Sequence, residues 1–533
     1  MPRVDREPRA RVGGWAQRVP QASGRTYLAV AFVAALSAAV TVVRATDDAP
    51  VAPRGGHSHG LTVPPTVQPI GSFADATRDP SGQTGSGGRA VIHRAGADIV
   101  RSPAAARRAP DARLHRTGFL TFEPTMGITK NGTILTNALS GDLNAPEIIR
   151  STDGGRTWKS VFANHRITLD PYMYVDPDTS RVFANDLSPQ PNCHLISVSD
   201  DNGKNWTTNP PAGCGHNADH QTIFAGPPPE GGSRPSGYPN IVYLCSIGAG
   251  VSVASGGSVC SKSTDGGTTF LPTGEPAFVD DPRQPGDYGV PGLCNGANGH
   301  GWVGEDGTVF LPRGWCGQPW LAISKDEGLT WTRVQISDLG MPCCGALNGQ
   351  RSELFSHEAG VVSDEAGNIY YTWVAADRLP YLVVSRDGGE TWSEPLMIGP
   401  PGLMEALLPG ITIGDRGKIA VHYMGSPNSV WDGDEVTGSY EDTTWNAYVT
   451  MTVDALDKDP IFYTATINDP KEPLWQGACG PDPARCGWGD FFDIVVHPDG
   501  TPWSVAVDLC TKDGCGGGGE AILGHLVGGP SLR

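Results

Sequence analysis

The chain has 533 residues and a formal net charge of −18, and 38% of its residues are hydrophobic. Its 71 Gly and 46 Pro favour turn-rich β structure and argue against a coiled coil or a protein with many membrane spans. Residues 1–116 carry sixteen Arg against eight acidic residues, so the remainder is strongly acidic and nucleic-acid binding is excluded.

The first hydrophobic segment is an uncharged run from Tyr27 to Val43, and six Arg precede it. This pattern predicts a basic cytoplasmic leader at 1–25 and a membrane segment at 26–43, which is either an uncleaved anchor or a signal peptide. Both alternatives place the rest of the protein outside the cytoplasm, secreted or membrane-anchored. Residues 44–115 are rich in Gly, Pro, Ala, Ser and Arg and are predicted to be a disordered linker, so we expect the folded body at 116–533.

All twelve cysteines follow the membrane segment, and an even number in an exported protein predicts disulfides. A zinc cluster is the alternative, which the lack of any CxxC pair in the sequence disfavours. The adjacent Cys343 and Cys344 cannot be assigned. The spacing favours five near-neighbour pairs: Cys193–Cys214, Cys245–Cys260, Cys294–Cys316, Cys479–Cys486 and Cys510–Cys515.

One motif, Ser-x-Asp-x-Gly-x-Thr-Trp, recurs five times with small variations. Its Asp accepts hydrogen bonds from the backbone of a turn, its Gly allows positive φ, and its aromatic ring packs between sheets. We call these segments Asp boxes, and their role is structural. They are STDGGRTW (151–158), SDDNGKNW (199–206), STDGGTTF (263–270), SKDEGLTW (324–331) and SRDGGETW (385–392).

A second repeat lies between the boxes: a strand, a Gly/Asp turn, another strand, and then a third strand. Units of this kind predict an all-β β-propeller, with seven blades favoured and six possible. The segment TGFLTF (117–122) is predicted to complete the last blade and latch the ring shut. The first two strands of the seven units span 126–138, 172–186, 220–246, 301–314, 359–375, 410–425 and 492–508, and the sixth and seventh units lack a recognisable box.

Strand parity predicts where a ligand would bind. If each first strand starts beside the axis, the boxes lie on the bottom face, and the residues before each first strand gather at the top. Carboxylates and imidazoles at these positions could bind a divalent cation or perform general acid–base chemistry. The alternative is that they only cap strand ends. The residues are Glu123, Asp170, Tyr172, His216, Asp219, His220, His300, His357, Glu358, Asp490 and Asp493.

The Asp boxes in an exported propeller resemble the sialidase (neuraminidase) superfamily, also called BNR-repeat proteins. This resemblance implies three Arg that bind a substrate carboxylate, an Asp acid/base and a Tyr–Glu nucleophile pair. The family carries an Arg-Ile-Pro tripeptide at the first strand, whereas this chain has Glu123-Pro124-Thr125-Met126 there. Arg313, Arg351 and Arg378 are the arginines that could reach the top face.

The sequence therefore supports a sialidase-like glycoside hydrolase, or a relative, that acts on or binds extracellular glycans. We expect catalytic residues among Asp170, Tyr172, Asp219, Glu358 and Asp490, and substrate-binding residues among Glu123, Arg313, Arg351 and Arg378. His220, His300 and His357 are candidate ligands of a divalent cation. The alternatives are a non-catalytic propeller that binds a glycan, a protein or a cation, and a structural cell-surface module. In each case we expect a monomer that contacts the membrane only through its N-terminal segment.

Overall fold

Four antiparallel strands joined in chain order are the repeating element of the structure. The fold is known from a computed structural model, in which the described residues lie in the unit Gly55–Arg533. The predicted membrane segment at 26–43 is outside them. The described residues are 84–101, 109–139, 146–163, 170–188, 193–214, 219–247, 257–279, 297–315, 317–341, 359–430, 440–477, 489, 492–511 and 514–533.

Three strands precede the repeats: β1 (Thr84–Arg89), β2 (Val91–His93) and β3 (Asp111–Leu120). Two short 3-10 turns, Ala95–Ala97 and Tyr440–Asp442, are the helical elements of the described ranges. The first three repeats are β4 (Met126–Ile128), β5 (Ile134–Leu139), β6 (Pro146–Ser151) and β7 (Lys159–Ala163); β8 (Pro171–Val175), β9 (Val182–Ser188), β10 (Cys193–Ser199) and β11 (Thr207–Thr208); and β12 (Asp219–Gly226), β13 (Ile241–Ile247), β14 (Ser258–Ser263) and β15 (Leu271–Pro272).

The later repeats keep the same order of strands. They are β16 (Trp302–Val303), β17 (Val309–Trp315), β18 (Gln318–Ser324) and β19 (Thr332–Gln335); β20 (Ala359–Ser363), β21 (Ile369–Val374), β22 (Pro380–Ser385) and β23 (Leu396–Met397); β24 (Glu405–Ile413), β25 (Ile419–Ser426), β26 (Thr444–Thr452) and β27 (Phe462–Thr466), with β28 (Trp475–Gln476) beside β26; and β29 (Ile494–Val496), β30 (Pro502–Thr511) and β31 (Gly514–Val527).

The inner strands of the repeats are buried on both faces because each repeat packs against the next one. All six residues of β21 are buried, and so are all eight of β25. Such strands are continuous apolar runs in the sequence rather than alternating ones, as IYYTWV in β21 illustrates. The core is therefore made of layers between successive sheets.

The first strands of the repeats form a closed series. Contacts join β4 to β8, β8 to β12, β12 to β16, β16 to β20, β20 to β24, β24 to β29, and β29 back to β4. This all-β arrangement of small antiparallel sheets is that of a β-propeller. In the described ranges the strands pair into six sheets, since the pair Leu120–Leu139 joins the last repeat to the first, and the number of blades stays a prediction.

The latch strand predicted from TGFLTF (117–122) is present, but it begins earlier in the chain than that segment. Strand β3 runs from Asp111 to Leu120 and pairs antiparallel with β31, so it is the outer strand of the last repeat. Thr117 Oγ1 donates to the Ala521 carbonyl at 2.7 Å. Two segments from opposite parts of the chain thus complete one sheet, which removes an open edge.

Strands β1 and β2 fall within the segment 44–115 that the sequence predicts to be a linker. Strand β1 pairs with β3, whereas β2 pairs with β27 of the preceding repeat, so the two together strap neighbouring sheets. The glycines in this segment, which suggested flexibility, instead allow the β1 backbone to pack closely against β27. A Cβ atom at Gly87 would lie 2.5 Å from the Thr466 carbonyl oxygen.

The five Asp boxes share one hydrogen-bond pattern. In each, the opening Ser Oγ accepts the backbone N–H four residues later at 2.8–2.9 Å. The Asp carboxylate accepts the N–H of the residue before the aromatic position at 2.8–3.0 Å. The aromatic ring then packs inward, and Trp158 is 1% exposed. The boxes are therefore structural turns, as predicted.

The sixth repeat keeps half of a box. Thr452 Oγ1 donates to Asp454 Oδ1 at 2.5 Å, and Asp454 N donates back to Thr452 Oγ1 at 3.3 Å. Asp454 Oδ1 also accepts Ile461 N at 3.0 Å across a longer loop. This turn is not recognisable in the sequence because Thr replaces the opening Ser and no Trp follows.

Two of the predicted disulfides, Cys193–Cys214 and Cys245–Cys260, are formed. Cys510 and Cys515 are register partners in the hairpin of β30 and β31. The other predicted pairs include residues outside the described ranges. No helix in the described part of the chain has the length and apolar character needed to cross a membrane.

Candidate functional site

Residues at the N-terminal ends of the first strands gather at one end of the ring, which we call the top face. A small cleft, with room for about one water molecule, opens there among residues of the fourth to seventh repeats. Its wall is mostly apolar, with one imidazole at its edge. The lining residues are His300, Ala359, Gly360, Val361, Pro409, Gly410, Ile411 and Phe492.

Three polar side chains from different repeats meet beside this cleft, and we call them the hub: Tyr172, His300 and Asp493. His300 Nδ1 lies 3.6 Å from Asp493 Oδ1, and the Tyr172 ring meets the His300 ring edge-on at a centroid distance of 5.4 Å. The His300 and Asp493 side chains are 24% and 16% exposed, so both can meet a ligand. A contact of 3.6 Å is an ion-pair distance rather than a hydrogen bond.

Backbone groups orient the Asp493 carboxylate. Its Oδ2 accepts the N–H of Met126, at the start of the first repeat, at 3.1 Å. Its Oδ1 accepts the N–H of Ile494 at 2.8 Å. Each oxygen therefore has a fixed donor, and the carboxylate is aimed at His300 before any ligand arrives.

Tyr172 is held more deeply than the other two. It is 4% exposed, and its hydroxyl lies 3.3 Å from Thr222 Oγ1. The same Thr222 oxygen accepts the N–H of Gly301 at 3.0 Å, which ties the third repeat to the residue after His300. Thr222 therefore positions both ends of the Tyr172–His300 contact, a role that its sequence context does not reveal.

Unusual backbone conformations occur within or just before three first strands. Glu123, His220 and Leu408 have φ values of 51°, 45° and 54°, a region that non-glycine residues rarely adopt. Strands β12 and β24 are also irregular at Asp219/Thr222 and Leu407/Gly410. Backbone strain and bulges concentrate near functional sites, which supports a site at this face. The Pro409-Gly410 dipeptide within the apolar run of β24 is the sequence signal of this bulge.

The remaining predicted acids lie around the hub or outside the described residues. Glu123 is 3% exposed and packs against Gly489. The Asp170 carbonyl accepts Gln221 Nε2 at 2.8 Å, and Asp219 opens β12. Glu358 and Asp490 are outside the described ranges, so their predicted catalytic roles stay predictions.

Some of the predicted cation ligands lie within the described residues and others lie outside them. His220 is 3% exposed, His300 belongs to the hub, and His357 lies outside the described residues, as does His216. Within the described ranges, no three His, Cys, Asp or Glu side chains are grouped so that they could hold a metal ion.

The described arginines expected to bind a substrate carboxylate are buried. Arg313 is 0% exposed, donates to Ser258 Oγ at 2.8 Å and lies 5.6 Å from the Phe278 ring centroid. Arg378 is 2% exposed and donates to Glu405 Oε1 at 2.7 Å. Both guanidiniums thus bond to protein groups, and Arg351 is outside the described residues.

Taken chemically, the hub offers an imidazole that contacts an oriented carboxylate on one side and a phenol ring on the other. A carboxylate and an imidazole can exchange a proton with a bound hydroxyl group. The apolar wall of the cleft suits the less polar face of a ligand.

Comparison with known proteins gives one family match, to the BNR/Asp-box repeat over residues 383–394, which is the fifth box. No curated protein matches the chain. Among solved structures, the Hadza microbial sialidase Hz136 is 17% identical, with 58% of this chain and 64% of that chain covered and a TM-score of 0.37. The α-L-arabinofuranosidase arb93a from Fusarium graminearum is 14% identical, with 72% and 97% covered and a TM-score of 0.37. A protein of unknown function from Dyadobacter fermentans DSM 18053 is 14% identical, with 78% and 97% covered and a TM-score of 0.38.

Proposed function

We propose that this protein is a glycoside hydrolase that acts on extracellular glycans at the hub. The observation that carries the proposal is the meeting of Tyr172, His300 and Asp493, which come from three separate repeats. Polar groups brought together from distant parts of a chain, partly exposed and beside a cleft, are the usual composition of an active site.

Glycoside hydrolysis needs a group that protonates the leaving oxygen and a second group that attacks the sugar or activates water. Asp493 is the oriented carboxylate, and in this proposal it acts as base or nucleophile on the sugar. The second carboxylate, Glu358 or Asp490, which the sequence also places before first strands, acts as the acid that protonates the leaving oxygen. His300, whose Nδ1 lies 3.6 Å from Asp493 Oδ1, is a positioning residue for the Asp493 carboxylate.

A non-catalytic glycan-binding role is the second candidate. The buried positions of Arg313 and Arg378 and the apolar lining of Val361, Ile411 and Phe492 favour it, because an apolar wall can pack against a sugar face without reacting with it. The two functions share a ligand class and differ in turnover.

The test is a screen of the purified chain against chromogenic glycosides and natural oligosaccharides, with and without chelator. We expect hydrolysis of at least one glycoside and a loss of roughly 100-fold or more in Asp493→Asn, the size expected for a removed acid–base group. Asp387→Asn, in the fifth Asp box, is the matched control and should retain turnover. A chelator effect would support the predicted cation.

Each outcome decides between the candidates. Glycan-dependent stabilisation that Asp493→Asn and His300→Gln abolish, without turnover of any glycoside, would leave the binding function. If no glycan is hydrolysed or bound, the hub has no role in glycan chemistry and the proposal fails.

We also propose that the body is exported and tethered through the segment 26–43 by a spacer that ends near β1. The two disulfides support this location, because such bonds persist in oxidising compartments. External protease added to intact cells should release the body. A body that is protected in intact cells and cleaved only after lysis would contradict export.

A further inference from the structure

Two imidazoles are in contact where the ring closes. His115 belongs to the latch strand β3 and His525 to β31, and His115 Nε2 lies 3.1 Å from His525 Nδ1. Trp503 of β30 stacks on His525 at 3.9 Å with an interplanar angle of 3°, and on His115 at 5.0 Å. His115 Nδ1 also lies 3.2 Å from the carbonyl oxygen of Gly155, in the Asp box of the first repeat.

These contacts assign the protons of the neutral pair. A carbonyl oxygen only accepts, so His115 Nδ1 carries a proton and donates it to Gly155. The neutral His115 then has a lone pair at Nε2, and His525 Nδ1 must donate to it. In the neutral pair, one hydrogen bond from His525 Nδ1–H to His115 Nε2 joins the two rings. If both rings are protonated, two N–H groups face each other and this hydrogen bond is lost.

The surroundings oppose a positive charge at this place. Burial is the main cause that lowers the pKa of His115 to about 4 and of His525 to about 3. The charged groups that face the pair are Arg113 on β3, Asp153 in the first box, and His497 and Asp499 in the turn before β30. The hydrogen bond to Gly155 and the charge of Asp153 raise the pKa of His115, and Asp499 raises that of His525, but burial outweighs them. Arg113 lowers the pKa of both histidines, and His497 lowers that of His525.

We propose that the His115–His525 pair is an acid-sensitive clasp, which holds the latch strand closed near neutral pH and releases it as the solution becomes acidic. The clasp ties β3 and β31 to each other and, through Gly155, to the first repeat. The Met126–Asp493 hydrogen bond crosses the same junction between the last and first repeats. Release of the clasp would therefore loosen a group of the hub as well.

Proton linkage determines how the stability of the closed latch changes with pH. A histidine that is neutral in the closed state and free to titrate when released gives its full stabilisation above its ordinary pKa of about 6.5. That stabilisation decreases as the pH falls from 6.5 towards the lower pKa of the closed state. Each histidine should weaken closure by roughly twentyfold between pH 7 and pH 5.

The test is hydrogen exchange of the purified chain at pH 7 and pH 5, with protection factors corrected for the intrinsic effect of pH. We expect protection to fall by roughly twentyfold or more in β3 and β31, and by less than about threefold in β21, which lies in the fifth repeat. No variant is needed for this comparison. The proposal is overturned if β3 and β31 keep their protection at pH 5, or if β21 loses as much.

Variants locate the effect in the pair. His115→Asn/His525→Asn should remove most of the pH dependence of β3 and β31. His93→Asn is the matched control, because His93 is also buried but lies in β2, where Nε2 contacts Thr464 Oγ1 at 2.8 Å. A double variant that retains the full pH dependence would contradict the proposal. The readout requires no glycan, so its failure is distinct from failure of the proposed function.

Discussion

Arg378 Nη1 lies 2.7 Å from Glu405 Oε1, and both side chains are buried at the junction of the fifth and sixth repeats. Ser429 Oγ donates to the other oxygen of Glu405. Ala406 N donates to the Arg378 carbonyl at 2.8 Å, so backbone and side chain fasten the same two segments. The arginine expected to bind a substrate carboxylate thus binds a carboxylate of its own protein.

Replacement of Arg378 by Met should destabilise the protein strongly, because the buried Glu405 carboxyl would lose its hydrogen-bonded cationic partner. We expect a loss of about 3–5 kcal/mol in the free energy of unfolding, measured by urea denaturation. Arg378→Met/Glu405→Gln should recover part of this loss, since neither partner is then charged. A double variant as unstable as Arg378→Met would show that the charge is not the cause.

The second Asp box, SDDNGKNW (199–206), leads to a prediction about how the stability of an exposed turn depends on pH. Burial alone would raise the pKa of Asp201, but hydrogen bonds from Asn205, Ser199 and Lys204 lower it to about 2. The box therefore stabilises the fold above the ordinary carboxyl pKa of about 3.8 and loses this effect as the pH falls from 3.8 towards 2.

Asp201→Ala should cost about 1–2 kcal/mol at pH 7, because several backbone and side-chain donors lose their acceptor. Lys204→Ala, in the same turn, should change the stability by less than about 0.5 kcal/mol. Urea unfolding at pH 7 and pH 2.5 measures both, and the difference between the variants should shrink at the lower pH. Equal effects at pH 7 would be inconsistent with a structural role for the carboxylate.

The strap formed by β1 offers a matched pair of glycines. Gly87→Ala should detach β1 from β27, since the added Cβ would lie 2.5 Å from the Thr466 carbonyl oxygen. Gly85→Ala should be tolerated, because its Cβ would meet Leu114 Cδ2 at an ordinary 3.4 Å. Limited proteolysis near residue 89 should be faster in Gly87→Ala only. Similar cleavage of both variants would show that close packing does not hold β1.

A buried histidine between the last two repeats gives a second pH-dependent prediction. His422 Nδ1 lies 2.5 Å from Ser504 Oγ, both residues are 0% exposed, and burial lowers the pKa of His422 to about 3. The stabilisation from neutral His422 is complete above pH 6.5 and decreases as the pH falls from 6.5 towards 3.

Unfolding free energies measured from pH 7 to pH 4 should therefore fall less steeply in His422→Asn than in the natural protein. The difference in slope should approach about 1.4 kcal/mol per pH unit, which corresponds to one proton. Ser504→Ala keeps the imidazole and should retain the steep slope. Identical slopes in all three proteins would mean that His422 is not buried in its neutral form.

The repeat could be predicted from the sequence because its signals are local. Asp153 and Gly155 follow an apolar run at a fixed spacing, and this spacing is sufficient to define the turn. The segment TGFLTF (117–122) could be predicted as the latch, although the strand itself begins at Asp111. The turn at Thr452 could not be predicted, because the hydroxyl–carboxylate pair is retained but the Trp that marks a box is lost.

The strap and the buried arginines could not be predicted because they depend on what lies beside them. Gly87 is typical of a linker unless the Thr466 backbone is known to pass next to it. Arg378 becomes a structural residue only because Glu405, in the next repeat, meets it. In the hub, Tyr172 was identified by its position before a strand, whereas Thr222, which holds it, resembles any other strand threonine.

Closure by β3 also sets an order for folding on the ribosome. Thr117 bonds to Ala521, which is 404 residues further along the chain. The early strand must therefore wait, with its backbone donors and acceptors unsatisfied, until nearly all later repeats have been synthesised. During synthesis, the completed sheets form an open stack whose last edge is unprotected, and this interval exposes the chain to aggregation or capture by a chaperone.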